Sequence, residues 1–306
     1  MKIIANKYKK VADFCYELFK IAEIKLYSSK FSNKLYSQFQ HLFLLVYKQF
    51  RRFKYEELMT DLASNKELRI YLGLKKLPHY TTLSKFAKRL PYSVIDKLVL
   101  AFKQLLPKPK RVAIDATGIT LDNASSHYCK RIGKVVQKRP FMKTTFIVDI
   151  DTYIILLVKM RKGHAHDTKD AKPLLLKLAK YYDKIRAVYA DRGYDANELF
   201  KICFEKLKAY PFILQKNLHV PKHRRSGEYR KLTYDHFDYG EYLQRNKIET
   251  TNAMFKKRFG SNVLSRTTKN QKVEVYMRVI AFNIDRLLRM GRTIIMIFIR
   301  ITRVSY

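Results

Sequence analysis

Three acids in this chain stand where a carboxylate is costly or out of place. Asp115 ends the short apolar run of 111-RVAIDATGI-119, which reads as a buried strand with the acid at its end. A charge there needs a partner or a cation. Asp191 lies in 185-IRAVYADRGYD-195, a second short strand running into a loop. Strand ends along one edge are where open α/β sheets place their sites. Two carboxylates meeting there repel each other, and a divalent metal removes that repulsion. Mg²⁺ suits the role because it prefers carboxylate oxygen and keeps waters that a phosphate can replace.

The third acid is Glu249, alone at the centre of 242-YLQRNKIETTNAMFKK-257. Read as one helix at 100° per residue, with Tyr242 at zero, Arg245 falls at about 300°, Lys256 at about 320° and Glu249 at about 340°. Asn252, at about 280°, borders the same stripe. One face thus carries Tyr, Arg, Glu and Lys, with apolar residues on its flanks. Two readings stay open. The face is a solvated salt-bridge surface, or it holds a metal-bound carboxylate beside phosphate-binding cations.

These residues need elements to place them. The first hundred residues read as helices, among them 40–50, 54–65, 66–74, 79–90 and 92–106. Thr81 or Thr82 is the expected N-cap of the fourth. The short helices of 54–90 suggest a helix-turn-helix-like unit, which an ordinary small bundle would also produce. The linker 107-PKPKR-111 separates them from a β-rich part. There 143–151 and 153–160 form a hairpin turned at Asp151-Thr152, with Asp149 and Asp151 capping it. A helix over 168–182 starts near Pro173. A second covers 195–207, with Asp195 and Glu198 at capping-box spacing. A strand at 210–215 precedes the Glu249 helix, and 271–289 is a last long amphipathic helix. The fold class is therefore α/β, a mixed sheet behind a helical region.

Composition points to a polyanionic partner. Lys and Arg number 63 against 26 Asp and Glu, a net charge of +37. Nucleic acid is the first candidate, because each neutralised phosphate releases a counterion. An anionic membrane surface is second. Hydrophobic residues at 47% exclude a disordered chain. Cys15, Cys129 and Cys203 are scattered and odd in number, which excludes a disulfide framework or zinc ribbon. The first residues lack a signal peptide's apolar run. No stretch reaches the ~18 apolar residues of a membrane span, and 294-IIMIFI-299 is too short to cross.

Asp115, Asp191 and Glu249, in strand, strand and helix, resemble the DDE triad of insertion-sequence transposases. The spacing Tyr242-x2-Arg245-x3-Glu249-x6-Lys256 resembles the Y-R-E-K signature of the cut-and-paste branch at every position. The segments 190-ADRGYD-195, 161-RKGHAHDTKD-170 and 72-LGLKKLPHYTTLSKFAKRL-90 are similar to further stretches of that family. The resemblance implies an RNase H-like mixed sheet flanked by helices and preceded by an α-helical N-terminal domain. It implies domains at 1–106 for DNA binding and dimerisation and at 111–290 for catalysis, with a tail at 291–306. It implies two Mg²⁺ ions, or Mn²⁺, on Asp115, Asp191 and Glu249, activating water and then a DNA 3′-hydroxyl. Tyr242, Arg245 and Lys256 would bind phosphates, with Arg192 and Asn252 beside them. Its partners would be double-stranded transposon-end and target DNA and a second copy of the chain, with no membrane. The setting would be cytoplasmic and nucleoid-associated. An inactive DNA-binding derivative and a metal-dependent nuclease without strand transfer are the alternatives.

Two departures from the family stand out. The chain has no Trp, which some relatives stack on a flipped end base. Residues 216–248 are too few for the large β insertion domain of some relatives. His164, His166 and Asp167 form an incomplete zinc set and are read as supporting or phosphate-contacting groups. Asp122 and Asn123 read as a turn, and 127–140 and 216–231 as basic loops.

Overall fold

The computed structural model describes residues 2–121, 141–216, 220–224, 226–234 and 237–291, without the side chains of residues 2–6 and 222. Asp122, Asn123, the basic loop 127–140, Cys129 and the apolar tail 294–299 lie outside the described residues. By its contacts the chain divides into two units, Leu105–Asn262 and the described parts of Met1–Gln104 with Val263–Tyr306.

The helical unit begins with α1 (Lys2–Ile21), α2 (Gln38–Arg51), α3 (Tyr55–Ser64), α4 (Lys66–Tyr71), α5 (Tyr80–Arg89) and α6 (Tyr92–Ala101). Helix α2 opens on a reciprocal capping box between Ser37 and Gln40, closes on Arg52 in the left-handed region, and buries every residue from His41 to Phe50. Asn65 ends α3 and caps α4. The cap of α5 is His79, not Thr81 or Thr82. Its Nδ1 accepts from the Thr81 amide at 3.4 Å and lies 2.8 Å from the Thr81 hydroxyl, so the threonine is held by the cap and does not serve as one.

The second unit contains β1 (Arg111–Leu121), β2 (Phe141–Asp149), β3 (Ile154–Lys162), α7 (Asp167–Tyr181), β4 (Ala187–Ala190), α8 (Asn197–Ile202), β5 (Tyr210–Ile213), the short helices α9 (Glu228–Lys231) and α10 (Tyr239–Tyr242), and α11 (Asn246–Phe259). The sheet order is β3-β2-β1-β4-β5. Strands β1, β2 and β3 are antiparallel neighbours, while β4 and β5 run parallel to β1. This is the RNase H-like mixed sheet. β2 and β3 are buried almost continuously, so both faces of the sheet are covered. The hairpin turn rests on Asp149, whose carboxylate accepts from the Asp151 amide and the Thr152 hydroxyl. Asp151 pairs with Arg111.

Helix α7 begins at Asp167, with Pro173 inside it. The acids Asp167 and Asp170 complement the positive end of the helix dipole and support a start well before the proline. Asp195 does not cap α8. Its carboxylate is buried and accepts from the Lys216 amide and from Arg230, both at 2.7 Å. A charged partner from a distant segment outcompetes the local amide.

The unit ends at β6 (Asn262–Val263), and the chain then forms α12 (Thr268–Arg289). The sequence expectation assigned residues up to 290 to the second domain. The contacts instead place α12 in the helical unit, against α2, α5 and α6. Nearly every residue from Val273 to Leu287 is buried there, and the Arg278–Glu274 pair at 2.6 Å is itself buried. An amphipathic pattern announces that a helix has an apolar face, not which core receives it.

Candidate active site

Strand β1 is central, and Asp115 lies near its middle and not at its end as the apolar pattern suggested, because pairing with β2 carries the strand on to Leu121. The parallel register pairs Ala113 with Tyr189. Two residues further along, Asp115 comes level with Asp191, where β4 has already ended. In a pleated sheet these alternate positions face one way. The β2 partner of Asp115 is Phe146, whose ring meets Phe255 of α11 edge-on at 5.3 Å. That contact lays α11 across the face from which Asp115 projects.

Ile248, Asn252, Phe255 and Phe259 form the inner side of α11. Asn252 is 8% exposed and donates from Nδ2 to Asp115 Oδ2 at 3.0 Å. Its own Oδ1 is buried without a hydrogen-bond partner. Burial pushes the Asp115 carboxyl up to about 6. The amide of Ala116 and the charge of Arg245 oppose the rise, and the charges of Asp191 and Glu249 add to it. Asp191 and Glu249 are therefore each within electrostatic reach of Asp115.

Asp191 is held by its own turn, its Oδ1 accepting from the Gly193 amide at 2.7 Å. A Cβ on Gly193 would come within 2.9 Å of Asp191 Oδ1 and 3.0 Å of Asp167 Oδ2, so the two carboxylates flank this glycine. Asp167 is paired at 2.5 Å with Lys143, which is buried. Tyr194, two residues on from Arg192, is buried with its hydroxyl unpartnered. Burial raises its pKa well above the ordinary value, and the charges of Asp115, Asp167, Asp191 and Asp170 raise it further. Asp167 thus joins the acids of the site. The only hint of this in the sequence is its place in the Gly-His-rich segment.

The stretch around Glu249 is not one helix. A 3₁₀ turn, Leu243–Arg245, separates α10 from α11. A 3₁₀ turn advances about 120° per residue, so the single wheel drawn from Tyr242 does not hold across it. The Tyr242 ring is buried against Phe237 and Tyr239, with the Arg245 guanidinium 5.9 Å from its centre. Tyr189 of β4 donates to Glu241 at 2.7 Å and ties α10 to the sheet. Arg245 Nη1 donates to Glu249 Oε1 at 2.6 Å, and the arginine side chain is 19% exposed against 55% for the glutamate. Arg245 Nε is buried and unpartnered. Lys256 lies two turns beyond Glu249, partly exposed, and Arg192 is exposed beside Asp191.

The donor set suits a hard divalent cation in kind: carboxylates that repel one another, and an orphaned amide oxygen on Asn252. The set is not closed. Among the described residues no three His, Cys, Asp or Glu side chains lie close enough to share one ion, and Glu249 is engaged by Arg245. His164 packs edge-on to Phe141, and His166 Nδ1 lies 2.9 Å from the Thr168 hydroxyl.

A central strand with an acid near its middle, a neighbouring strand followed by a second, and a covering helix with a third form an RNase H-like arrangement. Residues 106–284 match the family described as "Transposase DDE domain", and the chain belongs to that family. A search of curated protein sequences gives no significant match. Among solved structures the chain is similar to a piggyBac transposase synaptic complex with hairpin DNA. The identity is 11% and the TM-score 0.48, covering 96% of this chain and 78% of that one. No described helix is long and apolar enough to cross a membrane.

Proposed function

We propose that the chain is an active transposase of the Y-R-E-K branch, which cleaves transposon-end DNA by hydrolysis and joins the freed 3′-hydroxyl to target DNA. The observation that carries this is the electrostatic reach of both Asp191 and Glu249 to Asp115, a buried carboxyl raised to about 6. Asp115, Asp191 and Glu249 would hold two Mg²⁺ ions, or Mn²⁺ in their place, whose contribution when bound is Lewis-acid stabilisation of the attacking and leaving oxygens. Asn252 fixes the orientation of the Asp115 carboxylate through its 3.0 Å hydrogen bond. The turn around Gly193 does the same for Asp191.

Arg245 grips a DNA phosphate with its planar fork when it releases Glu249, while Lys256 acts as a point charge on the backbone and Arg192 offers a second guanidinium beside Asp191. Tyr242 backs the guanidinium and presents its hydroxyl to the same phosphate. The charge of +37 supports double-stranded DNA as the partner. Synapsis of two ends requires a second copy of the chain, and we assign end binding and dimerisation to the helical unit.

The Arg245–Glu249 pair supports a second reading, a DNA-binding derivative that does not cleave. One assay separates them. Purified protein is incubated with Mg²⁺ and labelled DNA taken from both flanks of its gene, beside Glu249→Gln. Cleavage and joining lost in the variant support the transposase. Cleavage without joining identifies a nuclease. Binding with no cleavage in either protein refutes catalysis.

A further inference from the structure

The helical unit contains a cavity of about 680 Å³ that the sheet chemistry does not use. The N-terminal ends of three helices meet at it: the N-cap Lys54 and Tyr55 at α3, Tyr80 and Thr81 at α5, and the N-cap Thr267 and Asn270 at α12. Helix N-termini carry partial positive charge, which favours an anion, although the Thr81 and Asn270 amides are already taken by their caps His79 and Thr267. Their convergence is matched by side chains. Lys48, Lys54, Lys85 and Arg266 line the cavity, against Glu56 and Glu274. Glu274 is already occupied by Arg278, the Leu264 and Ser265 amides and the Ser265 hydroxyl. Glu56 lies on the exposed first turn of α3.

Lys48 points to a ligand independently of the helix ends. It is 4% exposed and lines the cavity from α2. Its Nζ stands 4.8 Å from the centre of the Tyr55 ring and has no hydrogen-bond or ion-pair partner among the described residues. A buried ammonium without a directly paired anion is costly. Burial lowers its pKa, while the charges of Glu274, Glu57 and Glu56 work the other way. Tyr55 and Tyr80 add ring surface at the walls, and the volume exceeds what a bare phosphate needs.

We propose that this cavity is a phosphate-binding site, taking the phosphate of a nucleotide either within a DNA strand or free, with Lys48 as its central ligand. The site lies wholly in the helical unit. It does not depend on Asp115, Asp191 or Glu249, so its failure and the failure of the catalytic reading are separate results.

The test is calorimetric titration of the full chain with inorganic phosphate and with thymidine 5′-monophosphate, repeated in the presence of a short DNA duplex. The variants are Lys48→Met, Ser84→Asp, which places a negative charge at the rim without touching the core, and Lys97→Met, which removes an exposed charge elsewhere in the unit. Saturable binding at one site is expected in the wild type and in Lys97→Met. Both Lys48→Met and Ser84→Asp should weaken it at least about tenfold, as loss of a charge-assisted contact does. Competition by the duplex assigns the site to the DNA backbone. Tighter binding of the mononucleotide, undisturbed by duplex, assigns it to a free nucleotide. Absence of saturable binding, or equal affinity in wild type and Ser84→Asp, overturns the proposal. Ser84→Asp decides the matter if Lys48→Met does not fold.

Discussion

Replacing Asp115 by Asn should stabilise the protein while abolishing its chemistry. The carboxyl is raised from its ordinary 3.8 to about 6, by burial first and by the charges of Asp191 and Glu249. That difference of about 2 corresponds to about 3 kcal/mol at 1.36 kcal/mol per tenfold step. The sign follows from proton linkage. Between pH 3.8 and about 6 the folded state binds more protons at this group than the unfolded chain, so stability falls as pH rises through that window. Above about 6 the folded protein carries the full cost of an ionised, desolvated Asp115. Asparagine has no charge to desolvate, and its carbonyl oxygen still accepts from Asn252 Nδ2. Urea melts of wild type and variant from pH 4 to 8 should therefore diverge, with the variant ahead by up to about 3 kcal/mol at pH 8 and level near pH 4. Mg²⁺ should raise the wild-type midpoint and leave the variant unmoved. An Asp115→Asn variant that is equal to or less stable than wild type at pH 8 would refute the account of this site.

Three further outcomes are expected. Gly193→Ala puts a Cβ within 3.0 Å of the carboxylates of Asp191 and Asp167. Strand cleavage should fall at least about tenfold, as misplaced groups cost rate steeply, while the urea midpoint moves little; normal cleavage would show that Asp191 need not hold its present position. Glu274→Ala deprives Arg278 of its buried carboxylate in the core of the helical unit and should cost about 3–5 kcal/mol in urea melts. His41 is buried against Phe86, with burial and the nearby Arg89 lowering its pKa from 6.5 to about 4. The unfolded chain takes up the proton first, so stability is lost as pH falls from about 6.5 to about 4, by up to about 3 kcal/mol. His41→Phe should remove that part of the acid sensitivity, and an unchanged pH profile would count against the burial argument.

The strand expectations at 111–119, 143–151 and 153–160 match the observed strands closely because their period and β-branched content are local properties. The three candidate acids and the Tyr-Arg-Glu-Lys spacing can be read from the sequence alone, since a motif is written in residue types and intervals. Helix starts are less legible. His79 replaces a threonine as cap, and Asp195 leaves its expected cap for Arg230. Both depend on side chains finding partners that a local pattern does not contain.

Charge, periodicity and spacing suffice to establish a strongly basic, mixed α/β chain with three candidate acids, because none of them requires knowing what is near in space. The packed fold was needed to show that the parallel register sets Asp115 level with Asp191. It was needed again to show that Asn252 reaches across 137 residues to hold Asp115, and that Glu249 rests on Arg245. It also moved α12 out of the sheet unit and into the helical one. The physical reason is common to all four. Burial and pairing energies are set by neighbours in space, and a chain of one sign of charge does not announce which of its few acids will meet.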